Sequence, residues 1–177
     1  MVFTLYLQIY QQEKLQLMEF LTQNNWPYHV NQTIHKENIL QTIERGYYED
    51  DKETFWIIEN NEIYGIVIIE GISDSIPLID IRLAEKARGK GLGTKALEEV
   101  KNYVFGERKK IRIEGYTRAD NIAMRKCFNK AGFVMEGYLR QAWENKDGSI
   151  SDCTLYAAIR SDWKNQSITL PNFSDVL

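Results

Sequence analysis

The chain has 177 residues, of which 44% are apolar and 27% are charged, with 3 prolines and 11 glycines. These proportions are typical of a soluble globular protein and exclude disordered and collagen-like chains, and the length suits one domain over residues 1–177 with a peripheral tail from about residue 164. The 22 Lys and Arg residues against 25 Asp and Glu residues give a net charge of −3, so no overall basic field favours nucleic acid as a partner.

The first part of the chain predicts a strand followed by two helices. Apolar and polar residues alternate over residues 3–9, which is the pattern of a half-buried strand. A helical periodicity begins near Leu15 and is stopped by residues 24–27, and a second one begins at about His35 and ends at Gly46. The segment lacks the basic start of a signal peptide, and no run approaches the roughly 18 apolar residues of a membrane span. We therefore expect a cytoplasmic protein with no membrane partner.

Three strands are predicted next. The runs at residues 54–58 and 63–69 are rich in residues that favour strands, and the connection of residues 59–62 is short enough to force an antiparallel hairpin. Pro77 then opens a third run at residues 78–83, where proline is tolerated because it stands at the first position of the strand. A meander therefore precedes the glycine-rich segment that follows.

The second half of the chain alternates helices and strands. The predicted elements are a helix from Leu92 to about Phe105, a strand over residues 111–114, a helix over residues 121–131 ended by Gly132, a strand from Phe133 onward, a hairpin turn at Asp147-Gly148 and a strand over residues 153–159. Cys127 and Cys153 lack the paired spacing of a zinc site or a redox dithiol, so we expect both to be packing thiols and expect no metal. This succession predicts an α+β domain.

The segment from Arg88 to Thr94 has the composition of an anion site. It places three glycines and two cations between a strand and an amphipathic helix. Glycines let the backbone come close to a ligand, and the N–H groups at the start of the helix suit a phosphate or pyrophosphate. The alternative is a flexible turn with a helix cap that binds no ligand. Such a turn does not need three glycines and two flanking cations, so we favour the anion site.

The spacing of these glycines narrows the choice of phosphate ligand. The Walker pattern for ATP and GTP does not occur. The dinucleotide fingerprint is met in its alanine form by Gly91, Gly93 and Ala96, so spacing alone leaves NAD open. The preceding meander disfavours NAD, because the fingerprint belongs at the head of a parallel sheet.

Several motifs together resemble a known family. The segment Arg88-x-x-Gly91-x-Gly93, which opens a helix after an apolar strand, resembles the acyl-CoA pyrophosphate loop of the GNAT superfamily of N-acetyltransferases. Residues 121–125 and 129–133 resemble that family's Asn-initiated helix and its closing Gly-Phe. A third resemblance lies near the end of the chain, in Tyr138-Leu139-Arg140, Asp147-Gly148 and Asp152. This succession resembles the terminal hairpin of the ribosomal-protein-alanine and aminoglycoside acetyltransferase branch of the family. The resemblance covers about residues 54–163.

The resemblance implies a three-layer fold, with a mixed, mostly antiparallel central sheet flanked by helices, and acetyl-CoA as cosubstrate. The residues it implies for acetyl-CoA are Ile81, Arg82 and Leu83 along the pantetheine arm, Arg88, Gly89, Lys90, Gly91, Leu92, Gly93 and Thr94 around the pyrophosphate, and Asn121, Phe128 and Lys130, with Lys126 as an alternative to Lys130. Asn121 also stands where a helix N-cap is expected, and a cap and a ligand contact are compatible.

The resemblance also implies an acetyl transfer to an amine, and the sequence contains candidates for some of the catalytic groups that this reaction needs. A main-chain N–H at Leu83 or its neighbour would polarise the thioester carbonyl. Phe128 stands where related enzymes often have an acidic tyrosine, so Tyr116, Tyr138 or a water would protonate the leaving thiolate. Glu114, at the end of a predicted strand, is the candidate to accept the amine proton, with a solvated strand end as the alternative. We thus predict Glu114 and Tyr138 as catalytic residues.

An amine acceptor is expected near aromatic residues of the first half. Trp26 and His29 follow the first helix and Trp56 lies on the first hairpin, and we predict that they line the acceptor pocket. The alternative for Trp26 is a core residue at the junction of helix and sheet. Nearby acidic residues would attract a cationic acceptor, either a small amine or a protein N-terminus; they are Glu49, Asp50, Asp51 and Asp152.

Two other functions remain open from the sequence. The first is an acyl-CoA-binding module that has lost catalysis. Phe128, which stands in place of the usual tyrosine, favours this function. Binding of single-stranded RNA would use the basic run at residues 108–110, but no aromatic residues interleave with these cations. The hairpin at Asp147-Gly148, or an exposed strand edge, is suited to a homodimer.

Overall fold

A computed structural model describes residues 5–172 and residue 174. Its centre is a seven-stranded sheet with the strand order β1-β2-β3-β4-β5-β7-β6. The strands are β1 (Tyr6–Ile9), β2 (Lys52–Glu59), β3 (Glu62–Glu70), β4 (Leu78–Leu83), β5 (Arg112–Arg118), β6 (Val134–Glu144) and β7 (Ile150–Ile159). Of the pairs formed by these described strands, β4 with β5 is the one parallel pair. The predicted mixed, mostly antiparallel sheet is confirmed.

Five α-helices accompany the sheet in the described part of the chain. They are α1 (Lys14–Thr22), α2 (Lys36–Glu44), α3 (Leu92–Lys101), α4 (Ile122–Lys130) and α5 (Arg160–Asn165). A 3₁₀ turn at Glu85–Ala87 precedes α3, and a π-helical stretch at Asn102–Glu107 continues it. None of the described helices is long and apolar enough to cross a membrane.

Each face of the sheet carries its own core, as the alternation along the strands requires. On one face α3 and α4 pack against alternate residues of the central strands, including Ile57, Val67 and Ile69. On the other face α1 and α2 pack against the intervening residues, including Ile66 and Ile68. The helices cover both faces, so the architecture has three layers.

The sheet opens between β4 and β5. The two strands share one register pair, Leu78 with Glu114, and the Glu114 N–H donates to the Pro77 carbonyl at 3.1 Å. Beyond that point β4 pairs with β3 alone and β5 pairs with β7 alone. The carboxyl-terminal half of β4 therefore has an unpaired edge inside the sheet.

Most predicted elements are confirmed, with three differences. The predicted strand at residues 111–114 extends to Arg118, because β7 pairs with it along its whole length. The predicted helix from Leu92 ends as the π-helical stretch, and residues 160–165 form a helix that the sequence did not predict. The predicted first strand is present as β1, and Phe3, at its start, lies outside the described residues.

Candidate active site

A cleft of about 590 Å³ lies where β4 and β5 separate. Ile79 and Ile81 line it from the α3–α4 face, whereas Asp80 and Arg82 line it from the α1–α2 face. Residues of both faces reach one cleft because the sheet is open there. The other lining residues come from the α1–α2 connection, β5 and α4, and include Tyr28, His29, Tyr116, Thr117, Asn121, Met124 and Phe128.

The unpaired edge of β4 offers backbone hydrogen-bonding groups to the cleft. The Ala84 N–H donates to the Tyr64 carbonyl at 2.9 Å, which sets the alternation of the ladder with β3. By that alternation the N–H groups of Ile81 and Leu83 point towards β5, whereas Arg82 pairs with Ile66 of β3. Two of the three residues predicted along the pantetheine arm thus present free main-chain groups to the opening.

The loop before α3 has the geometry of an anion site. Gly89 and Gly91 have φ values of +74° and +81°, and a Cβ atom at either position would meet nothing within 4 Å. Gly91 is the N-cap, no side chain caps the helix, and no acidic residue stands in the first turn. The first intrahelical bond runs from the Lys95 N–H to the Gly91 carbonyl, so the N–H groups of residues 92–94 lack a helical acceptor. This loop fits a pyrophosphate.

Arg88 takes part in building this loop. Its Nε donates to the Leu83 carbonyl at 3.1 Å, and its Nη2 donates to the Asn25 carbonyl. The guanidinium lies 5.7 Å from the centroid of the Trp26 ring. The Arg88 side chain therefore ties the loop to β4 and to the segment after α1.

The other predicted cofactor residues divide between exposed cations and packing positions. Lys90, Lys126 and Lys130 are exposed and make no ion pair with the described residues. Gly93 is buried, and a Cβ atom there would lie 3.2 Å from Cys127 Sγ. Gly93 thus permits the close approach of α3 to α4.

Asn121 both caps α4 and borders the cleft. Its Oδ1 accepts from the Met124 N–H at 3.2 Å, and its Nδ2 donates to Thr117 Oγ1 at 3.0 Å. The amide is held between β5 and α4, so its position at the cleft is fixed by these two bonds.

Phe128 is a core residue whose ring reaches the wall of the cleft. It is 1% exposed and stacks on Tyr156, with ring centroids 4.9 Å apart. A Cβ atom on Gly115 would lie 2.5 Å from the Phe128 Cζ atom, so the tip of the ring rests against the β5 backbone.

The two predicted catalytic residues lie outside the residues that line the cleft. The Glu114 carboxylate accepts from Arg112 Nε at 2.6 Å, and Arg112 in turn binds Glu136. Tyr138 lies on the exposed side of β6, and its hydroxyl donates to Asp152 Oδ2 at 2.7 Å. The Glu114 carboxylate nevertheless lies 3.4 Å from the hydroxyl of Tyr116, which does line the cleft.

Tyr116 does line the cleft. Its hydroxyl donates to Glu114 Oε2 at 3.4 Å. Burial, followed by the negative charge of Glu114, raises the pKa of Tyr116 above its ordinary value. The phenol therefore stays protonated through neutral pH.

The predicted acceptor residues separate into core and cleft. Trp26 and Trp56 are each 1% exposed and belong to the core under α1 and α2. The Trp26 Nε1 donates to the Leu21 carbonyl at 3.0 Å, as expected of a residue that closes the junction of helix and sheet. Of the three predicted acceptor residues, His29 alone lines the cleft.

Asp80 is the cleft residue that the sequence interpretation missed. Its Oδ1 lies 3.1 Å from His29 Nε2, and its Oδ2 accepts from Arg82 Nε at 3.2 Å and Nη2 at 3.1 Å. Burial alone would raise the pKa of Asp80, but the Arg82 charge and the His29 bond outweigh it and hold the pKa well below its usual range. The sequence signal was a carboxylate in an otherwise apolar strand.

The acidic residues predicted to attract a cationic acceptor lie away from the cleft lining, namely Glu49, Asp50, Asp51 and Asp152. The carboxylates that do line it are Glu70 and Asp80, and both are paired. Glu70 lies 3.5 Å from Lys52 Nζ, and Asp80 is bound by Arg82. The cleft thus offers no unpaired carboxylate from the described residues.

Comparison with known sequences identifies one family. A sequence model described as the acetyltransferase (GNAT) domain matches residues 3–134. No curated protein matched the chain.

Comparison with solved structures finds the same architecture. A dodecameric spermidine N-acetyltransferase from Vibrio cholerae aligns with a TM-score of 0.75 at 17% identity, covering 93% of this chain and 98% of that one. A mutant form of the Vibrio cholerae spermidine/spermine N-acetyltransferase SpeG aligns at 18% identity and TM-score 0.75, covering 93% and 99%. A protein described as a probable acetyltransferase aligns at 19% identity and TM-score 0.73, covering 90% and 95%. At these identities the likeness concerns the fold.

Proposed function

The chain belongs to the GNAT acetyltransferase domain family, and from this premise we propose that it transfers an acetyl group from acetyl-CoA directly to a primary amine. The proposal rests on one observation, namely that two main-chain features lie next to each other in the structure. The loop before α3 presents unpaired N–H groups, and the open edge of β4 ends at Leu83, shortly before that loop begins. Together they form a continuous main-chain surface suited to a pyrophosphate and a pantetheine arm.

The family implies acetyl-CoA, and the chain's own groups fit it. Gly89 and Gly91 leave open space where a Cβ atom would block a phosphate. The N–H groups of residues 92–94, with the positive end of the α3 dipole, would hold the pyrophosphate. Leu83 would pair with a pantetheine amide as an added strand does. Lys90 and Lys130 would contribute charge from the rim.

Direct transfer requires a polarised carbonyl and a route for protons. The Ile81 N–H, which faces the opening and lies further from the α3 loop than Leu83, would bind the thioester oxygen and stabilise the charge that develops there. Acetyl-CoA supplies the activated acetyl group. We assign protonation of the departing thiolate to Tyr116, because its side chain lines the cleft and its phenol is protonated at neutral pH.

The acceptor class is a primary amine that enters from the α1–α2 side. The cleft walls there are aromatic and polar, with Tyr28, His29 and Tyr116 among them. Small-molecule amines and protein N-termini both fit this chemistry. The resemblance to the ribosomal-protein-alanine branch supports the second, and the spermidine enzymes with the same fold support the first.

A second candidate function is acyl-CoA binding without catalysis. Phe128 favours it, because that side chain is directed into the core and supplies no proton to the cleft. The two functions share the cofactor loop and differ in whether a thiol is released.

A thiol-release assay separates them. The purified protein is given acetyl-CoA and a panel of amines comprising amino acids, polyamines and peptides with free N-termini. Release of CoA with acetylation of one amine class supports the enzyme, whereas saturable acetyl-CoA binding without release supports the binding module. Absence of acetyl-CoA binding to the folded protein would contradict both.

We further propose a homodimer formed through β6, a cytoplasmic location and one domain over the whole chain. In the strand order β6 stands at one edge, and Met135, Tyr138 and Leu139 on it are exposed. An edge with exposed apolar side chains is a site for pairing with a second chain. Sedimentation of the 20.7 kDa chain at twice its mass would support the dimer.

A further inference from the structure

We propose that His29, oriented by Asp80, is the base that takes the proton from the acceptor amine. The inference rests on the proposed acetyl transfer and assigns to His29 the step for which the sequence predicted Glu114. His29 would be the catalytic residue because it meets the amine, and Asp80 would be a positioning residue that acts through it.

The hydrogen bond between these residues defines which nitrogen is free. Asp80 is ionised, because Arg82 binds it and holds its pKa low. An ionised carboxylate only accepts hydrogen bonds, so His29 Nε2, 3.1 Å from Oδ1, must carry the hydrogen. In the neutral ring the lone pair is then on Nδ1, which is the acceptor a general base requires. Nδ1 has no hydrogen-bond partner within the part of the chain that the structure describes.

The ring is held in place from two further directions. The His29 main-chain N–H donates to the Trp26 carbonyl at 3.0 Å, which fixes the turn that carries it. The ring meets Trp26 edge-on, with centroids 6.2 Å apart and planes at 78°. The His29 side chain is 27% exposed, and the residue lines the cleft. Pre-orientation of this kind is what makes a general base effective.

The position of the pair matches the direction of attack. Asp80 lies between Ile79 and Ile81 on β4, and its side chain is on the α1–α2 face. The Ile81 N–H that would polarise the carbonyl belongs to the same strand, next to Asp80, and faces the opening. An amine entering from the α1–α2 side therefore meets His29 before it reaches the carbonyl.

Other titratable and charged groups surround this point and belong in any account of its pH dependence. The titratable and charged groups that line the cleft besides His29 are Tyr28 and His35 before α2, Tyr47 and Tyr48 after α2, Glu70 of β3, Asp80 and Arg82 of β4, Tyr116 of β5, and Lys146 between β6 and β7. Arg82 is neutralised by Asp80, so the negative partner in contact with the ring is balanced by a cation on its far side.

The proton balance of the step is complete. The ammonium form of the acceptor gives a proton to Nδ1, and the imidazolium releases it to solvent. The neutral amine forms a bond to the acetyl carbon, the carbon–sulfur bond breaks, and the thiolate leaves. The second amine proton passes to His29 while the thiolate takes one from Tyr116, which recovers it from His29 or solvent. The products are an acetamide, a free thiol and one proton.

The substitution Asp80→Asn tests the orientation without requiring turnover. Arg82 can bind only the oxygen of the introduced amide, so the amide NH₂ would face His29 Nε2 and force the hydrogen onto Nδ1. The chain has 2 histidines, so ¹⁵N NMR of the imidazoles shows two spin systems, and His35→Gln assigns them. We expect His29 to have its neutral hydrogen on Nε2 in the wild type and on Nδ1 in Asp80→Asn. The same tautomer in both proteins would overturn the role of Asp80.

Kinetics test the role of His29. Both His29→Gln and Asp80→Asn should lower kcat for acetyl transfer by about 100-fold or more, as expected for loss of a general base. Acetyl-CoA affinity, measured by calorimetry, should stay within a factor of two, which also shows that each variant is folded. In the wild type, kcat should fall at low pH because the base becomes protonated. This fall should be absent from the pH–kcat profile of His29→Gln.

The outcomes separate this inference from the proposed function. A wild type that transfers acetyl groups while His29→Gln keeps more than half of its kcat and the fall of kcat at low pH would overturn the inference and leave the function intact. A wild type that binds acetyl-CoA but acetylates no amine would overturn both. Loss of kcat in both variants, with the tautomer change in Asp80→Asn, supports both.

Discussion

The role of each residue at the cleft depends on its hydrogen-bond and ion-pair partners. Asp80 accepts from both His29 and Arg82, and Arg82 lies 5.7 Å from the Trp26 ring centroid, so one carboxylate organises a charged cluster over an aromatic core residue. Partly buried charges of this kind stabilise a fold only while they remain paired. The pairing of Asp80 should therefore be visible in the stability of the protein and in its pH dependence.

The substitution Asp80→Asn should lower the free energy of unfolding by about 2 kcal/mol at pH 7, which is the scale of hydrogen bonds to a charged group. The folded pKa of Asp80 lies below that of the unfolded chain, so the unfolded state binds the proton first as the pH falls. The wild-type advantage is present above about pH 4 and declines below it. Urea unfolding at pH 7 and pH 3 checks this, and an equal difference at both pH values would contradict it.

Gly91 should combine a conformational and a binding role. Its φ is +81°, and alanine there would cost about 1 kcal/mol of stability and place a methyl group against the bound phosphate. Gly91→Ala should therefore weaken acetyl-CoA binding at least tenfold in a calorimetric titration. Gly148 is the matched control, because it has the same φ of +81° and the same open surroundings in the β6–β7 turn. Gly148→Ala should lose similar stability and bind acetyl-CoA normally; equal binding by both variants would argue against the loop as the phosphate site.

Among the helices and strands, the packing of α4 against β5 determines the shape of the cleft. Phe128 of α4 contacts the backbone of β5 at Gly115, and Asn121, just before the helix, bonds to Thr117 of the same strand. The missing Cβ atom at Gly115 lets the helix approach the strand closely. Without that approach the far wall of the cleft would move away from β4.

Gly115→Ala should destabilise the protein by about 1 to 3 kcal/mol, the cost of overpacking a core contact. The added methyl group would lie 2.5 Å from Phe128 Cζ and 3.1 Å from Ile79 Cγ2. Gly137→Ala serves as the control, since its Cβ atom would lie 3.5 Å from Leu155 Cβ in ordinary contact, and it should change stability by less than about 0.5 kcal/mol. Thermal unfolding compares the two variants, and equal losses would mean that α4 can shift to make room.

Pairing between strands explains the extra length of β5. The sequence signal for that strand weakens after Glu114 because Gly115 and Tyr116 interrupt the apolar pattern. Its pairing with β7 nevertheless runs from Arg112 to Arg118. Strand length here is set by the partner and not by local propensity.

In the molecule as a whole, two helical layers enclose a sheet that is open at one point. The cores under α1–α2 and α3–α4 lie on opposite faces of the sheet, which opens between β4 and β5. A ligand that fills the opening and binds the α3 loop would join the two halves of the sheet. Its binding should therefore stabilise the molecule as a unit.

Acetyl-CoA at about 100 times its Kd should add about 2.7 kcal/mol of stability and raise Tm by about 5 to 10 °C. NAD and ATP at the same concentration should leave Tm unchanged, because the glycine spacing does not open a parallel βαβ unit and the Walker pattern is absent. Differential scanning calorimetry measures the shift. A rise with NAD but none with acetyl-CoA would replace the proposed cofactor with a dinucleotide.

Local sequence patterns were sufficient to predict the order and type of nearly all elements and the glycine-rich turn that opens α3. Strand alternation, helical periodicity and glycines at positive φ are properties of a few neighbouring residues, so they are readable without knowing what packs against them. The identification of the GNAT family rested on the same kind of local motif and is confirmed.

The remaining features became visible only in the folded chain, because they depend on residues that are distant in sequence. His29 meets Asp80 across 51 positions, and Arg112 engages Glu114 together with Glu136, 24 positions away. Burial of Trp26 and of Phe128 likewise depends on which face of the sheet receives each helix. Residue type and spacing mark a side chain as able to do chemistry, but only its packed neighbours decide whether it is free to do so.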